Sequence, residues 1–159
     1  MKNISIRLYT FSNYLMYAVP LLAGAIWLYS LLLPERTVSA NPTIQLFGHI
    51  HDNCYIKFTP NIDLTNYFNL NTKQIFLYAI CTTGTQHEMI WSTIVQYFDK
   101  KQFIQPVIGN YKFKIIDGVN TFNKITFELR GSILPHVGKT SDILFSSFEY
   151  DNSKNILTT

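Results

Sequence analysis

The densest cluster of chemistry-bearing residues is His49-Ile50-His51-Asp52-Asn53-Cys54. Two histidines at i and i+2 of a strand point to the same side, as a zinc ligand pair requires. A catalytic zinc takes a third protein ligand, for which His87, His136 or Asp52 is available. Such a centre would make the chain a metal-dependent hydrolase. Nothing in the spacing dictates that closure, and histidines at a strand end leading into a turn are the better reading. Nucleophilic chemistry has no local signature: the G-x-S-x-G elbow is absent. Ser132 follows Gly131, but its neighbours are ordinary strand residues. The seven glycines are scattered, so no loop is built to cradle phosphate. No catalytic, cofactor-binding or metal-ligating residue is assigned and no cofactor is implied, which points to a structural or binding role.

The elements that carry these residues begin with an apolar run. From Leu8 to Pro34 no residue is charged, and Tyr14 to Leu33 reads YLMYAVPLLAGAIWLYSLLL. As a helix, twenty residues cover about 30 Å, the thickness of a bilayer's hydrocarbon core. A lone lipid-facing segment has to be helical, and Pro20 and Gly24 are tolerated in membrane helices. Tyr9, Tyr14 and Tyr17 on one side and Trp27 and Tyr29 on the other match the interfacial aromatic belts. Lys2 and Arg7 precede the run without an acidic residue, whereas Glu35 and Arg36 cancel after it. The excess of basic charge keeps the N-terminus cytosolic and sends the rest across. A cleaved signal peptide, with Val38 and Ala40 before the cut, is the competing reading. The apolar run exceeds the ~7–15 residues of an ordinary signal-peptide core, which favours an uncleaved anchor. The expected organisation is a cytosolic N-terminus at 1–13, a transmembrane signal-anchor at 14–33, a linker at 34–42, one β-sandwich domain at 43–150 and a flexible tail at 151–159.

Two of the charges in the formal +3 are Lys2 and Arg7; residues 34–159 hold eleven basic and ten acidic side chains. A balanced domain has no electrostatic footprint for nucleic acid, and the Lys100-Lys101 pair is explained by a solvated turn. Cys54 and Cys81 are the only cysteines. They can form one disulfide in an oxidising lumen or remain two small buried thiols, the commoner fate. The only sequon, Asn3-Ile4-Ser5, lies on the expected cytosolic side, so the translocated domain carries no N-glycan.

Within that domain, Ile56 and Phe58 alternate with Lys57 and Thr59, and Ile125, Phe127 and Leu129 with Thr126, Glu128 and Arg130. Tyr111, Phe113 and Ile115 alternate in the same way with Lys112 and Lys114. A period of two marks strands with one buried and one solvated face. Ile75 to Cys81 is apolar on both faces and suits a central strand; Thr43–Ile50 and Ile143–Phe148 are further candidates. Met89–Phe98 fits either period, and its β-branched residues favour strand. Turn residues fall between these runs at 52–53, 69–71, 109–110, 117–118 and 135–138. Six to eight such strands predict an all-β fold, an antiparallel β-sandwich preceded by a single N-terminal transmembrane α-helix.

Specific segments add a family resemblance. Ile62 to Tyr78, IDLTNYFNLNTKQIFLY, resembles a stretch of subunit 3 of the eukaryotic signal peptidase complex through Asp63, Leu64, Phe68, Asn71, Lys73, Gln74, Phe76, Leu77 and Tyr78. Ile90-Trp91 with Ile94-Val95, the closing strand Ile125 to Gly138 with Leu134-Pro135, and Phe11-Ser12-Asn13 are similar to further parts of that family. One departure is the missing sequon near Lys124. The resemblance implies a non-catalytic accessory subunit of the endoplasmic reticulum membrane, single-pass and type II, without enzymatic activity of its own. Its implied partners are the catalytic serine-protease subunit, the other small membrane subunits, the translocon and membrane lipid, with no nucleic acid. Trp91 and Tyr97 are candidate interface anchors, although ordinary core is the better reading of each. The alternative function is a membrane-anchored luminal module that binds peptides by strand addition or acts like a chaperone.

Overall fold

The uncharged run folds as a single helix, α1 (Ile4–Leu32), in the computed structural model, which describes residues 3–32, 38, 40–50, 53–83, 86–114 and 124–151, without the side chains of residues 49, 50, 124 and 151. Pro20 lies inside it and does not end it, and none of its residues is buried. Among the described residues α1 is the one helix long and apolar enough to cross a membrane. It begins ahead of Tyr14, so the expected N-terminal segment and the expected span share one helix.

The described remainder is mainly antiparallel sheet. β1 (Thr43–Ile50) and β2 (Asn53–Thr59) form a hairpin in which His49 faces Cys54 and Ile50 faces Asn53. His51 and Asp52, between them, lie outside the described residues, as do the expected turn at Asp117-Gly118, Ile115 and the tail beyond Asp151. β7 (Val107–Ile108) joins the other edge of β2 to complete a three-stranded sheet. The second sheet has the order β5 (Gln86–Gln96), β4 (Thr72–Thr83), β8 (Lys124–Pro135), β9 (Ser141–Asp151). A two-residue ladder pairs β3 (Ile62–Asp63) with β6 (Gln102–Phe103).

The two sheets face each other across the core. Ile56 and Phe58 of β2 are fully buried, as are Ile75, Leu77 and Ala79 of β4 and Ile125, Phe127 and Leu129 of β8. Aromatic edges cross the gap: Phe58 meets Trp91 at 5.7 Å and Phe47 meets Phe127 at 6.1 Å between centroids. The alternation read in β2 and β8 is thus the inward face of a sandwich. The run Ile75–Cys81 is the central β4; its second face, Phe76, Tyr78 and Ile80, is half-buried on the outside of the sheet. Trp91 belongs to the core.

One expected strand is corrected. Of the described part of Tyr111–Ile115 only Phe113 pairs, in an isolated bridge to Cys54. The segment forms a strap across one open side of the sandwich. The Gly109 N–H donates to Ile56 O (2.9 Å), the Tyr111 N–H to Ile90 O (3.2 Å), and Asn110 Nδ2 to Ser92 O (2.7 Å). Those bonds alternate between two sheets, so no continuous ladder forms. Phe113 is buried while Tyr111 stays half exposed.

Candidate functional site at the junction of helix and domain

Where β4 begins, a chain of local hydrogen bonds holds one side chain against α1. Asp63 starts it. Its Oδ1 accepts from the Thr65 hydroxyl and, at 2.8 Å, from the Thr65 N–H, and its Oδ2 accepts from Gln102 Nε2 at 2.8 Å. These bonds, the Thr65 hydroxyl first, hold the Asp63 carboxyl below its usual range. The turn of 3-10 helix Thr65–Tyr67 that follows hangs on Leu64, which is fully buried. Asn69 Oδ1 then accepts from the N–H groups of Asn71 (2.7 Å) and Thr72 (3.0 Å), an Asx turn, and the Thr72 hydroxyl donates to Tyr67 O (2.7 Å).

Asn71 is oriented by that turn and is only 5% exposed. Its Nδ2 donates to Ser30 Oγ of α1 (2.7 Å) and to Val137 O (2.8 Å), while its Oδ1 accepts from the Val137 N–H (2.9 Å). The His136 N–H donates to Asn71 O at 2.7 Å. The Ser30 hydroxyl in turn donates to Ile26 O, one turn earlier in α1 (2.9 Å). An amide is the one side chain that can donate twice and accept once in this position. Beside it Gly138 has φ 112°, and a Cβ there would lie 3.2 Å from Trp27 Cδ1. Glycine therefore meets both the backbone conformation and the close approach of the indole. A cleft of about 530 Å³ remains between helix and domain, bordered by Trp27, Leu31, Tyr67, Ile133 and Lys139. What the described residues show at the junction is a set of hydrogen bonds that ties the domain to the helix.

The sequence-derived candidates are scattered. His87 sits at the hairpin end of β5, with Nδ1 3.0 Å from Thr82 Oγ1, whereas His136 lies at the opposite end of the sheet, bonded to Asn71. Thr72 and Thr82 of β4 mark those two ends, about 33 Å apart at strand rise, so no single metal can hold both histidines. His49 lies in β1 beside Cys54. No group of three potential ligands occurs among the described residues. Ser132 is a strand residue between Phe76 and Asp142. Cys54 and Cys81 are buried thiols, not a disulfide. Burial pushes the Cys81 thiol up to about 12, and the neighbouring Cys54 and Glu88 add to the effect.

Two surfaces stand out. On the outer face of the four-stranded sheet, the Tyr78 hydroxyl donates to Asp142 Oδ1 (2.8 Å), and Arg130 bridges Asp142 (3.0 Å) and Glu128 (2.9 Å). Phe76 stacks on Tyr78 at 5.3 Å, and Met89, Ile94 and Leu144 are exposed around them. Burial, and then the Asp142 bond, raises the Tyr78 phenol above its ordinary value. At the junction end Tyr97 is exposed, and Lys101 Nζ donates to its carbonyl (2.7 Å) while lying over the rings of Tyr97 (4.9 Å) and Phe68 (5.1 Å). Asn71 carries part of the family resemblance, but its bonding role could not be read from sequence, because Ser30 and Val137 are distant along the chain.

Comparison with known proteins gives these surfaces a context. A family model described as signal peptidase subunit matches residues 1–146. The chain is similar to signal peptidase complex subunit 3 of Caenorhabditis elegans, 26% identical over 90 residues, which cover 52% of this chain and 50% of that one. It is also similar to signal peptidase complex subunit 3 of Saccharomyces cerevisiae, 30% identical over 98 residues, covering 57% of this chain and 53% of the relative. The chain spans about half the length of the curated relatives it matches.

Proposed function

This chain belongs to the signal peptidase subunit family, and on that premise we propose that it is a non-catalytic accessory subunit of the endoplasmic reticulum signal peptidase complex. In this reading α1 anchors the chain with its N-terminus in the cytosol, and the β domain lies in the lumen. The domain binds the catalytic serine-protease subunit and holds its active site at the membrane face while signal peptides are removed, beside the other membrane subunits and the translocon. A rigid partner lowers the cost of ordering a protease cleft, because less conformational freedom is lost when substrate binds.

The observation that carries this reading is the Asn71 junction, which ties the domain to α1 through Ser30 and Val137. A subunit docked on the domain thereby inherits a set height and orientation over the bilayer. The outer face of the four-stranded sheet supplies the docking surface: its exposed Ile94 and Leu144 flank a ring pair and an ion-pair network. Purification of the tagged chain in mild detergent should recover a serine-protease subunit in stoichiometric amount, with cleavage of a signal-peptide substrate. Recovery of the chain alone, or with assorted unfolded luminal proteins, would sink the proposal in favour of a stand-alone peptide-binding module.

A further inference from the structure

The end of the sandwich that touches α1 carries the domain's two most exposed large apolar side chains among the described residues, Phe98 and Leu70. Phe98 is 96% exposed, Leu70 83% and Tyr97 56%. They sit on two adjacent turns, Asn69–Asn71 before β4 and Tyr97–Lys100 after β5, and share one open hollow with Phe68, His136 and Tyr29 of α1. Tyr29 fixes their level. α1 ends at Leu32, three residues on, so at helical rise Tyr29 lies about 4.5 Å inside that end. Turns that border Tyr29 are therefore level with the last turn of a span, where aromatic rings settle among lipid headgroups. Single exposed apolar residues are ordinary on a soluble surface, but two nearly bare ones on neighbouring turns beside a membrane helix have lipid within reach.

We propose that these two turns form a foot that inserts the Phe98 and Leu70 side chains into the phospholipid surface around the C-terminal end of α1. Lys73 and Lys100 flank the two turns and are exposed, so their ammonium groups can reach lipid phosphates while their stems lie along apolar surface. The turn backbones stay at headgroup depth, where water satisfies their polar groups, and only side chains go deeper. The foot rests on the reading of α1 as a membrane span. It adds a second attachment beside the helix, so the domain leans on the bilayer at two points and resists tilting.

The test uses the full-length chain in phosphatidylcholine vesicles containing lipid spin-labelled near the headgroup end of the acyl chain and, in a parallel preparation that reads position 22, lipid spin-labelled near the end of the chain. A nitrobenzoxadiazole fluorophore is attached in turn through Phe98→Cys, Glu88→Cys at the far end of the sheet, and Leu22→Cys within α1. Cys54 and Cys81 are buried and do not compete for label. Phe98 is nearly bare, its ring meeting that of Tyr97 edge-on at 5.3 Å, so its replacement disturbs little of the fold. Leu70→Cys provides an independent second position on the foot. Quenching at positions 98 and 70 should exceed that at 88 by at least about threefold, as for side chains seated at a bilayer interface. Equal quenching at 98, 70 and 88, with position 22 quenched, overturns the foot and leaves the span standing. No quenching at position 22 overturns both. A blue shift at 98 that arises only after co-reconstitution with other subunits, without lipid quenching, assigns the surface to protein and also overturns the foot.

Discussion

Asn71 bonds three polar groups: the Val137 N–H, the Val137 carbonyl and the Ser30 hydroxyl, which itself donates to Ile26 O. Asn71→Ala takes the side-chain partner from both Val137 groups at a part-buried site, a loss of about 1–2 kcal/mol. The full chain in detergent should then melt about 5–10 °C lower. Asn71→Asp keeps the acceptor for the Val137 N–H but turns a second oxygen toward the carbonyl, so the melting temperature should fall at least as far. Cys81 gives a different signature. Its thiol ionises near 9.0 in the ordinary case and only at about 12 in the fold. The unfolded chain therefore releases this proton first. Stability from the neutral thiol is complete below pH 9 and declines above it, by up to about 1.4 kcal/mol per pH unit. Chemical denaturation from neutral to alkaline pH should show that decline in the wild type and a shallower one in Cys81→Ala, which cancels the contribution of lysines and tyrosines. Identical slopes would remove the thiol as the cause.

At the scale of elements, legibility in the sequence follows the length and uniformity of a segment's partnerships. β2 and β8 face one core over many residues, so their alternation appears in the composition. The strap at 109–113 bonds to both sheets in turn, and three strands of two residues exist only through distant partners, so no local pattern announces them. The same applies to the junction: Ser30 and Val137 lie 41 and 66 residues from Asn71. β9 hides a further device. Its register shifts between Leu144 and Ser146, opposite Arg130 and Leu129, which makes Phe145 the extra residue of a β-bulge. The bulge lets the Phe145 ring lie over Gly131 and edge-on to Tyr67 at 5.5 Å. A Cβ on Gly131 would run into that ring, which would have to give up its present packing on Tyr67. Gly131→Ala should cost about 1–3 kcal/mol as overpacking. The double variant Gly131→Ala/Phe145→Leu should lose less than the sum of the single losses, measured by denaturation of all four proteins. Strict additivity would mean that the ring and the glycine are not coupled.

At the scale of the whole molecule, the proposed function gives one end of the sandwich the task of setting position and one face the task of receiving a partner. The four strands β5, β4, β8 and β9 offer a platform about 14 Å from first to last strand axis, edged by Ile94 and Leu144. Those two side chains are 54% and 49% exposed, so acidic replacements there disturb little of the core. Ile94→Glu with Leu144→Glu should leave the melting temperature of the isolated chain unchanged and abolish co-purification of the protease subunit, since burying an unpaired charge in an interface is strongly unfavourable. Asn71→Ala should do the reverse: the protease subunit stays bound, but a loosened junction no longer holds its cleft at one height, and cleavage of a membrane-inserted precursor slows. A soluble, shortened peptide substrate separates the two effects, because it does not depend on height and should be cut at the wild-type rate by the Asn71→Ala complex. If precursor and soluble peptide slow equally, the junction acts on the protease subunit's folding, not on its placement. If Ile94→Glu with Leu144→Glu retains the partner, the docking surface lies elsewhere on the sandwich and the outer sheet face is ordinary solvent-exposed surface.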